Sequence, residues 1–287
     1  MVEFHQITKY LASEGAACKT LPMLTFDIAD VWTKINQIEQ SCEEAFKLKT
    51  PYLAPRDPNR DIDLLHPKYH PPKKGFSTIE GQARMLHDLA SIELQAMELG
   101  VRTLSEFPDA PEGFKEELIA VTVSEAQHLR MCLEGIEALG FKWGDWPVHA
   151  ALWYAVAPED TLLDRILIVH RYLEGSGLDA GDTLIRRLEG TSGKESIQKI
   201  VKQINFEEIG HVDFGSRWYR EICRLNKIDS TVDFPKRMDD LRHRLPKRVE
   251  PINRILRGKA GFTDEEIQYY ENLRLDFINP LAVSTQR

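Results

Sequence analysis

The sequence has no hydrophobic run long enough to cross a bilayer, and it has few cysteines. No stretch approaches the ~18 consecutive apolar residues that a transmembrane helix requires. The N-terminus lacks a basic region followed by an apolar core, so we expect no secretory signal. Scattered cysteines without a Cys-x-x-Cys pair argue against a disulfide framework. We therefore predict a cytoplasmic protein with reduced, mostly buried thiols at Cys18, Cys42, Cys132 and Cys223.

An excess of positive charge is also lacking. With 37 Lys and Arg against 45 Asp and Glu, the net charge is -8, which argues against wholesale coating of nucleic acid or an anionic membrane. Residues 236–259 depart from this balance, because nine basic and three acidic side chains give this segment a local charge of +6. A solvated basic face is the ordinary interpretation of such a segment, and contact with RNA is the alternative.

Apolar and polar residues do not alternate convincingly with the period of two that strands show, whereas apolar residues recur at helical spacing. We therefore predict an all-α protein. Residues 27–48 predict an N-terminal helix, and a proline-rich extended connection follows it. Four long helices are then predicted, at 77–107, 111–139, 161–188 and 194–224. A short turn at 190–193 separates the last two, and the four helices should pack antiparallel. A capping box at Thr263 opens one more helix. The expected units are 1–75 (helix and wrap), 76–226 (bundle) and 227–287 (basic segment and terminal helix).

Each of the four bundle segments carries an apolar stripe at steps of three and four residues, and a glutamate interrupts each stripe near its middle. These glutamates are Glu93, Glu125, Glu174 and Glu208. A lone buried carboxylate costs several kcal/mol unless it is neutralised or paired, and four that face one core would repel one another. Two divalent cations bring four positive charges, which match the four carboxylates.

Spacing adds two histidines to this set. Glu125 and His128 form one Glu-x-x-His motif, and Glu208 and His211 form another. Residues three apart on a helix lie on one face, so both side chains can reach the same ion. Two such motifs and two single glutamates form the ligand set of di-iron and di-manganese carboxylate bundles. Oxygen and imidazole ligands suit iron, with manganese as an alternative, and argue against a typical structural zinc site. The competing interpretation is a set of solvated helix faces.

Four further residues are candidates for contacts around the metal ligands. His170 precedes Glu174 by one turn and is either a satisfied core histidine or an outer or additional ligand. His87 is more typical of a hydrogen-bonded buried residue than of a ligand. Asp179 and Asp213 are candidates for hydrogen bonds to ligating imidazoles, because metal sites usually need such partners.

In this order of glutamates and histidines the sequence resembles the ferritin-like superfamily. More narrowly, it resembles an uncharacterised bacterial family, the domain of unknown function DUF455, over roughly residues 21–271. The runs that carry this resemblance are 87–96, 207–212 and 260–263. That family is distantly similar to di-iron hydroxylases of modified tRNA. The resemblance implies a four-helix bundle in which Glu125 and Glu208 bridge two metals, while Glu93 and Glu174 each hold one. Ser91 departs from relatives that carry histidine at this position.

The residues and the resemblance together favour an O2-dependent oxidase or hydroxylase with two bound metal ions. Such an enzyme needs a small-molecule or modified-nucleotide substrate and an electron-donor protein, and no segment carries a recognisable substrate motif. Alternatives are a ferroxidase or iron-handling protein, a dimanganese peroxide-detoxifying protein, or a metal-stabilised scaffold. Gly177, Gly181 and Gly215 either leave room for substrate or allow close helix packing. Trp143, Trp146 and Trp153 form a predicted cluster that covers one end of the bundle, with a lid or dimer contact as the alternative.

Overall fold

A computed structural model describes residues 22–189 and 195–279. Cys18, the turn expected at 190–193 and the predicted start of the fourth bundle helix at 194 lie outside these residues. Within them the chain is all-helical, and its nearest approach to a sheet is an isolated bridge between Leu64 and Val148. None of the described helices is both long enough and apolar enough to cross a membrane. The described cysteines are free and buried.

The described residues form ten α-helices and one π-helical segment. The α-helices are α1 (Val31–Asn36), α2 (Ile38–Phe46), α3 (Ile79–Glu106), α4 (Glu112–Ala138), α5 (Leu162–Ile166), α6 (Glu174–Leu188), α7 (Glu195–Leu225), α8 (Ser230–Leu241), α9 (Arg254–Lys259) and α10 (Asp264–Ile278). The π-helical segment, Leu167–Leu173, joins α5 to α6, so these three pieces form one long helix. The bundle consists of this helix together with α3, α4 and α7.

Local sequence signals set the ends of the bundle helices close to where they were predicted. The Thr78 side chain accepts a hydrogen bond from the Gly81 amide and caps the start of α3. Helix α4 ends in a Schellman motif, in which Gly140 has a φ of 81° and the Phe141 amide donates to the Ile136 carbonyl. Thr263 closes the predicted capping box of α10 with Glu266. The all-α bundle predicted from the sequence is therefore confirmed.

The N-terminal helix differs from its prediction. Instead of one helix over 27–48, the chain forms α1 and α2, because the backbone of Gln37 leaves the helical region between them. Helix α1 begins only at Val31, where Asp30 accepts a hydrogen bond from the Thr33 amide. Its Lys34 is fully buried and donates to Glu98 of α3 at 2.5 Å. This buried ion pair fixes α1 against the bundle.

The connection between α4 and α5 runs along α3 from one end of the bundle to the other. Trp143 stacks on His87 with ring centroids 4.8 Å apart. Further on, Gln95 donates to the His149 carbonyl at 2.9 Å. The connection ends near the carboxyl end of α3, where Arg165 of α5 contacts Glu106 at 2.5 Å. One long crossover of this kind is the connectivity of ferritin-like bundles.

This crossover corrects the prediction of a single tryptophan cluster. Trp143 and Trp146 both contact His87. Trp153 lies farther along α3, where it is 1% exposed and lies under the guanidinium of Arg102. The three side chains therefore cover α3 at different heights, and together they form part of the bundle core and its wrap.

The C-terminal helices are held to the bundle by buried ion pairs. Arg257 of α9 donates to Asp179 of α6 at 2.7 Å, and Arg171 of the π-helical segment donates to Glu266 of α10 at 2.9 Å. Within 236–259, five of the six arginines pair with carboxylates; these are Arg237, Arg242, Arg244, Arg254 and Arg257. Most of the arginine charge that the sequence places in this segment is therefore neutralised by the fold.

His87 generates a prediction about acid stability. Burial lowers the pKa of His87 from 6.5 to about 4, so the unfolded chain binds the proton more tightly than the folded chain. The free energy of unfolding is therefore unaffected by this histidine above pH 6.5. It decreases as the pH falls from 6.5 towards 4, because the unfolded chain takes up the proton first. His87→Phe should therefore reduce the loss of unfolding free energy over this range by about 3 kcal/mol. Denaturant unfolding at several pH values measures the difference, and equal pH slopes for both proteins would contradict it.

Candidate metal centre

The four seam glutamates converge at mid-height in the bundle. Glu93 of α3 and Glu125 of α4 are 4% and 1% exposed, while Glu174 of α6 and Glu208 of α7 are each 8% exposed. Donor atoms of Glu125, Glu208 and the two motif histidines all lie within 4.8 Å of one another. The four carboxylates also line one cavity, so they share a single site. The structure therefore brings together all six residues that the sequence singled out as ligands.

His128 is at the centre of this group. Its Nδ1 atom lies 3.5 Å from carboxylate oxygens of Glu93 and Glu125 and 3.4 Å from a carboxylate oxygen of Glu208. Donor atoms that share one ion at ~2.1 Å are typically ~3 to 3.4 Å apart. The opposite ring nitrogen, Nε2, lies 2.8 Å from Glu207 Oε2. The ring is thus held from outside while Nδ1 faces three carboxylates.

His211 completes the second motif. Its Nδ1 atom lies 2.8 Å from Glu125 Oε1 and 3.4 Å from Glu208 Oε1. The His128 and His211 rings are 5.4 Å apart between centroids. Glu125 is therefore placed between the two imidazoles.

His170 lies beside Glu174 and supports its carboxylate. Its Nδ1 atom is 2.8 Å from Glu174 Oε1, and its ring meets Phe214 edge-on. Both residues belong to the helix that contains the π-helical segment, which ends immediately before Glu174. π-helical turns are rare and are frequently found at functional sites. Of the roles considered for His170, this geometry favours an outer contact that orients Glu174.

The electrostatics show how the charges balance without a cation. Burial raises the pKa of Glu93 well above its usual value and also raises that of Glu174. Although burial opposes it, the imidazoles of His211 and His128 hold the pKa of Glu125 far below its usual range. Although burial opposes this too, the surrounding carboxylates raise the pKa of both histidines well above normal. In the metal-free chain protons therefore compensate the carboxylates, and a bound cation would displace them.

Two buried atoms test whether the site fits a metal ion. Glu125 Oε2 and His128 Nδ1 are both shielded from solvent, and neither has a hydrogen-bond partner among the described residues. Buried polar atoms without partners are uncommon, and a bound ion is one of the regular explanations. The donors are oxygen and imidazole nitrogen, which suit iron and manganese. The buried Glu/His group can therefore hold metal ions.

A cavity of about 180 Å³ extends from the glutamates between α3 and α6. Its walls are largely apolar and include Leu89, Ile92 and Leu173. Gly177 faces this space, and a Cβ atom there would meet nothing within 4 Å. A Cβ at Gly181 would approach Asn205 to 2.2 Å, and one at Gly215 would approach His170 to 2.4 Å. Gly177 thus leaves room in the cavity, whereas the other two glycines allow close helix packing.

The remaining candidates lie away from the metal ligands. His87 accepts a hydrogen bond from the Gly144 amide under two tryptophans, as its interpretation as a buried structural residue predicted. Asp179 binds Arg257, and Asp213 pairs with Arg217 on the surface, so neither contacts a ligating imidazole. The imidazole partner is Glu207, which sequence reasoning missed. The sequence feature that could have identified Glu207 is its position next to Glu208, on the side of α7 that faces α4.

Fold and site together define an all-helical bundle protein with a buried carboxylate–histidine centre, the arrangement of ferritin-like carboxylate proteins. The model of the family described as "Protein of unknown function (DUF455)" matches residues 23–268, and the chain belongs to this family. An uncharacterised protein of Haemophilus influenzae is 32% identical over 232 residues, which cover 76% of this chain and 79% of the relative. No solved structure matches the chain significantly.

The Glu207 contact generates a prediction about metal affinity. Glu207→Ala removes the carboxylate that holds the His128 ring, and the loss of such an outer partner typically costs about 10- to 100-fold in metal affinity. Competition between the protein and a chelator for Mn(II) measures this change. The matched control is Glu195→Ala, an exposed position on the same helix, which should bind as tightly as the wild type. Equal affinity of the Glu207→Ala variant and the control would show that the contact does not support the site.

Proposed function

We propose that the chain is a dimetal carboxylate enzyme, with iron as its metal, that oxidises a small organic substrate with O2. The observation that carries this proposal is the cavity between α3 and α6, because it opens onto all four glutamates. An iron-storage subunit needs a route for ions, and a scaffold needs no cavity at its metal centre. An apolar pocket that ends at the ligands is what an enzyme needs to bring a substrate to the metal pair.

The proposed ligand roles follow the geometry of each side chain. Glu125 and Glu208 lie between the two histidines and, as the family resemblance implies, would bridge the ions, whereas Glu93 and Glu174 would each hold one ion. His170 and Glu207 position ligands without binding the metal. The apolar walls exclude water and orient the substrate towards the carboxylates.

Two iron ions in this site would supply the activation of O2. Hydroxylation consumes one O2 and releases one water, so two electrons come from the substrate and two from an electron-donor protein. Two protons accompany the latter pair. The chain itself contributes the dry pocket and the fixed ligands.

The first test is anaerobic loading with Fe(II), followed by elemental analysis and optical spectroscopy during exposure to O2. We expect about two iron ions per chain and an O2-dependent absorption change. Glu125→Ala removes the proposed bridge, so it should retain less than about one ion per chain and lose the absorption change. Glu137→Ala, an exposed position on the same helix, is the control and should behave as the wild type.

Any of three results would overturn the proposal. If Glu125→Ala retained two ions with unchanged affinity, the ligand assignment would be wrong. If the loaded wild type did not react with O2, the function would be that of a metal-stabilised scaffold. Release of iron into a mineral core, without substrate oxidation, would instead indicate iron handling.

Gly177 provides a test of the cavity that leaves the ligands intact. Gly177→Leu places a side chain in the open space, because the Cβ atom itself would meet nothing within 4 Å. We expect unchanged metal content but at least about tenfold weaker binding of 1-hexanol, measured by calorimetry. Gly210→Leu, at an exposed helical glycine that also has free space around it, is the matched control. Unchanged hexanol binding by Gly177→Leu would place the ligand elsewhere.

A further inference from the structure

One arginine of the C-terminal segment differs from its neighbours. Five of the six arginines in 236–259 form ion pairs with carboxylates, but Arg248 forms none with a described residue. It is also the member of this set that lines the cavity beside the metal centre. Its Nε atom is shielded from solvent and has no hydrogen-bond partner in the part of the chain that the structure describes.

The absence of a partner for Arg248 is not explained by a lack of nearby carboxylates. Glu250 lies on the same short connection between α8 and α9, yet its carboxylate accepts from the Val249 amide. A buried donor without an acceptor costs about 1 to 3 kcal/mol. A guanidinium presents a planar fork of N–H groups that matches a carboxylate or phosphate and stays charged at every physiological pH. Arg248 is therefore suited to bind an anionic group that comes from outside the chain.

The rest of the cavity is suited to an apolar body. The four carboxylates line it, and Leu89, Ile92 and Val201 contribute to its walls. Its volume is about 180 Å³. An apolar cavity of roughly 150 Å³ holds one benzene-sized molecule, so a short alkyl chain or a single ring would fill this one. Asn205 also faces the cavity and makes no side-chain hydrogen bond to another described residue.

Two of the other cations near this side of the bundle are already paired with a carboxylate, and a third, Arg187, is exposed and lies over the Phe76 ring. A wider groove shares Leu89, Ile92 and Leu184 with the cavity and contains Lys73 and Arg84. Both of these side chains bind Asp88, at 2.7 and 3.0 Å. A ligand would have to displace Asp88 to use them, whereas Arg248 has no carboxylate to give up.

We propose that the cavity binds a small amphiphilic anion, whose carboxylate or phosphate is held by Arg248 and whose apolar body extends towards the metal ligands. That this anion is the substrate rests on the proposed function; its binding to Arg248 does not. The headgroup would fix the molecule at one end, so that the oxidised position is an alkyl or ring atom away from the charge. Arg248 is in this account a residue that determines substrate class.

The test compares three probes of equal chain length: hexanoate, hexyl phosphate and 1-hexanol. Each is titrated calorimetrically into the full-length protein, both loaded anaerobically with Fe(II) and depleted of metal, because hexanoate can also bind a metal directly. We expect at least one anion to bind about tenfold more tightly than hexanol in both states. The favoured anion identifies the headgroup. Arg248→Gln should abolish this preference, Arg248→Lys should retain part of it, and Lys247→Gln, at the exposed neighbour, should leave it unchanged.

Three results would overturn the inference: no preference for either anion in the wild type, a full preference in Arg248→Gln, or no binding of any probe. The first and third need no variant, so a folding defect in Arg248→Gln, visible in its thermal melt, does not remove the test. Failure of the proposed function gives a different pattern. In that case the chain would not take up iron or react with O2, but the anion preference of the metal-depleted protein would persist.

Discussion

The structure depends on one electrostatic constraint, the burial of four carboxylates in the core of a helical bundle. Glu93, Glu125, Glu174 and Glu208 occupy positions that leucine or alanine would fill in an ordinary bundle. Their mutual repulsion and desolvation would destabilise the fold by several kcal/mol unless positive charge entered the same space. Without a cation, the two motif histidines would supply part of it as imidazolium groups, because the surrounding carboxylates raise their pKa. A pair of divalent cations would supply all of it and leave the imidazoles free to act as ligands.

Much of the surrounding architecture can be understood as support for this centre. The crossover connection covers α3 from Trp143 to Trp153, which shields the side of the bundle that carries Glu93. Buried ion pairs attach the terminal segments to the bundle, among them Lys34 with Glu98 and Arg257 with Asp179. Pairs of this kind are costly to break, because each leaves a charge buried alone. These contacts help to hold the buried carboxylates and histidines in place.

The four bundle helices and their glutamates were predictable because their signals are local. Helical periodicity identifies a buried face, and a carboxylate on that face stands out against its apolar neighbours. The break at Gln37 and the π-helical segment before Glu174 were not predicted, since tertiary packing sets both. Helix α8 was missed as well: Pro235 in its interior argues against a helix, yet Phe234 and Met238 bury themselves against the bundle.

Partners of individual side chains were the least predictable feature. Asp179 and Asp213 were reasonable candidates for orienting the imidazoles, but each is paired with an arginine whose position only the fold determines. Glu207 has this role for His128 although it is half exposed and adjacent to a ligand in sequence. The same holds for the basic segment, whose composition indicated a charged surface. Folding neutralises most of its arginines and leaves Arg248 facing the cavity.

The most direct test of the central claim is a crystal structure of the Fe(II)-loaded protein with anomalous diffraction measured at the iron absorption edge. We expect two anomalous peaks among the four carboxylates, each within bonding distance of a motif histidine. Full occupancy of iron elsewhere, or no peak among these residues in crystals of loaded protein, would contradict it. Protons and the imidazolium charges would then be the only compensation for the buried glutamates.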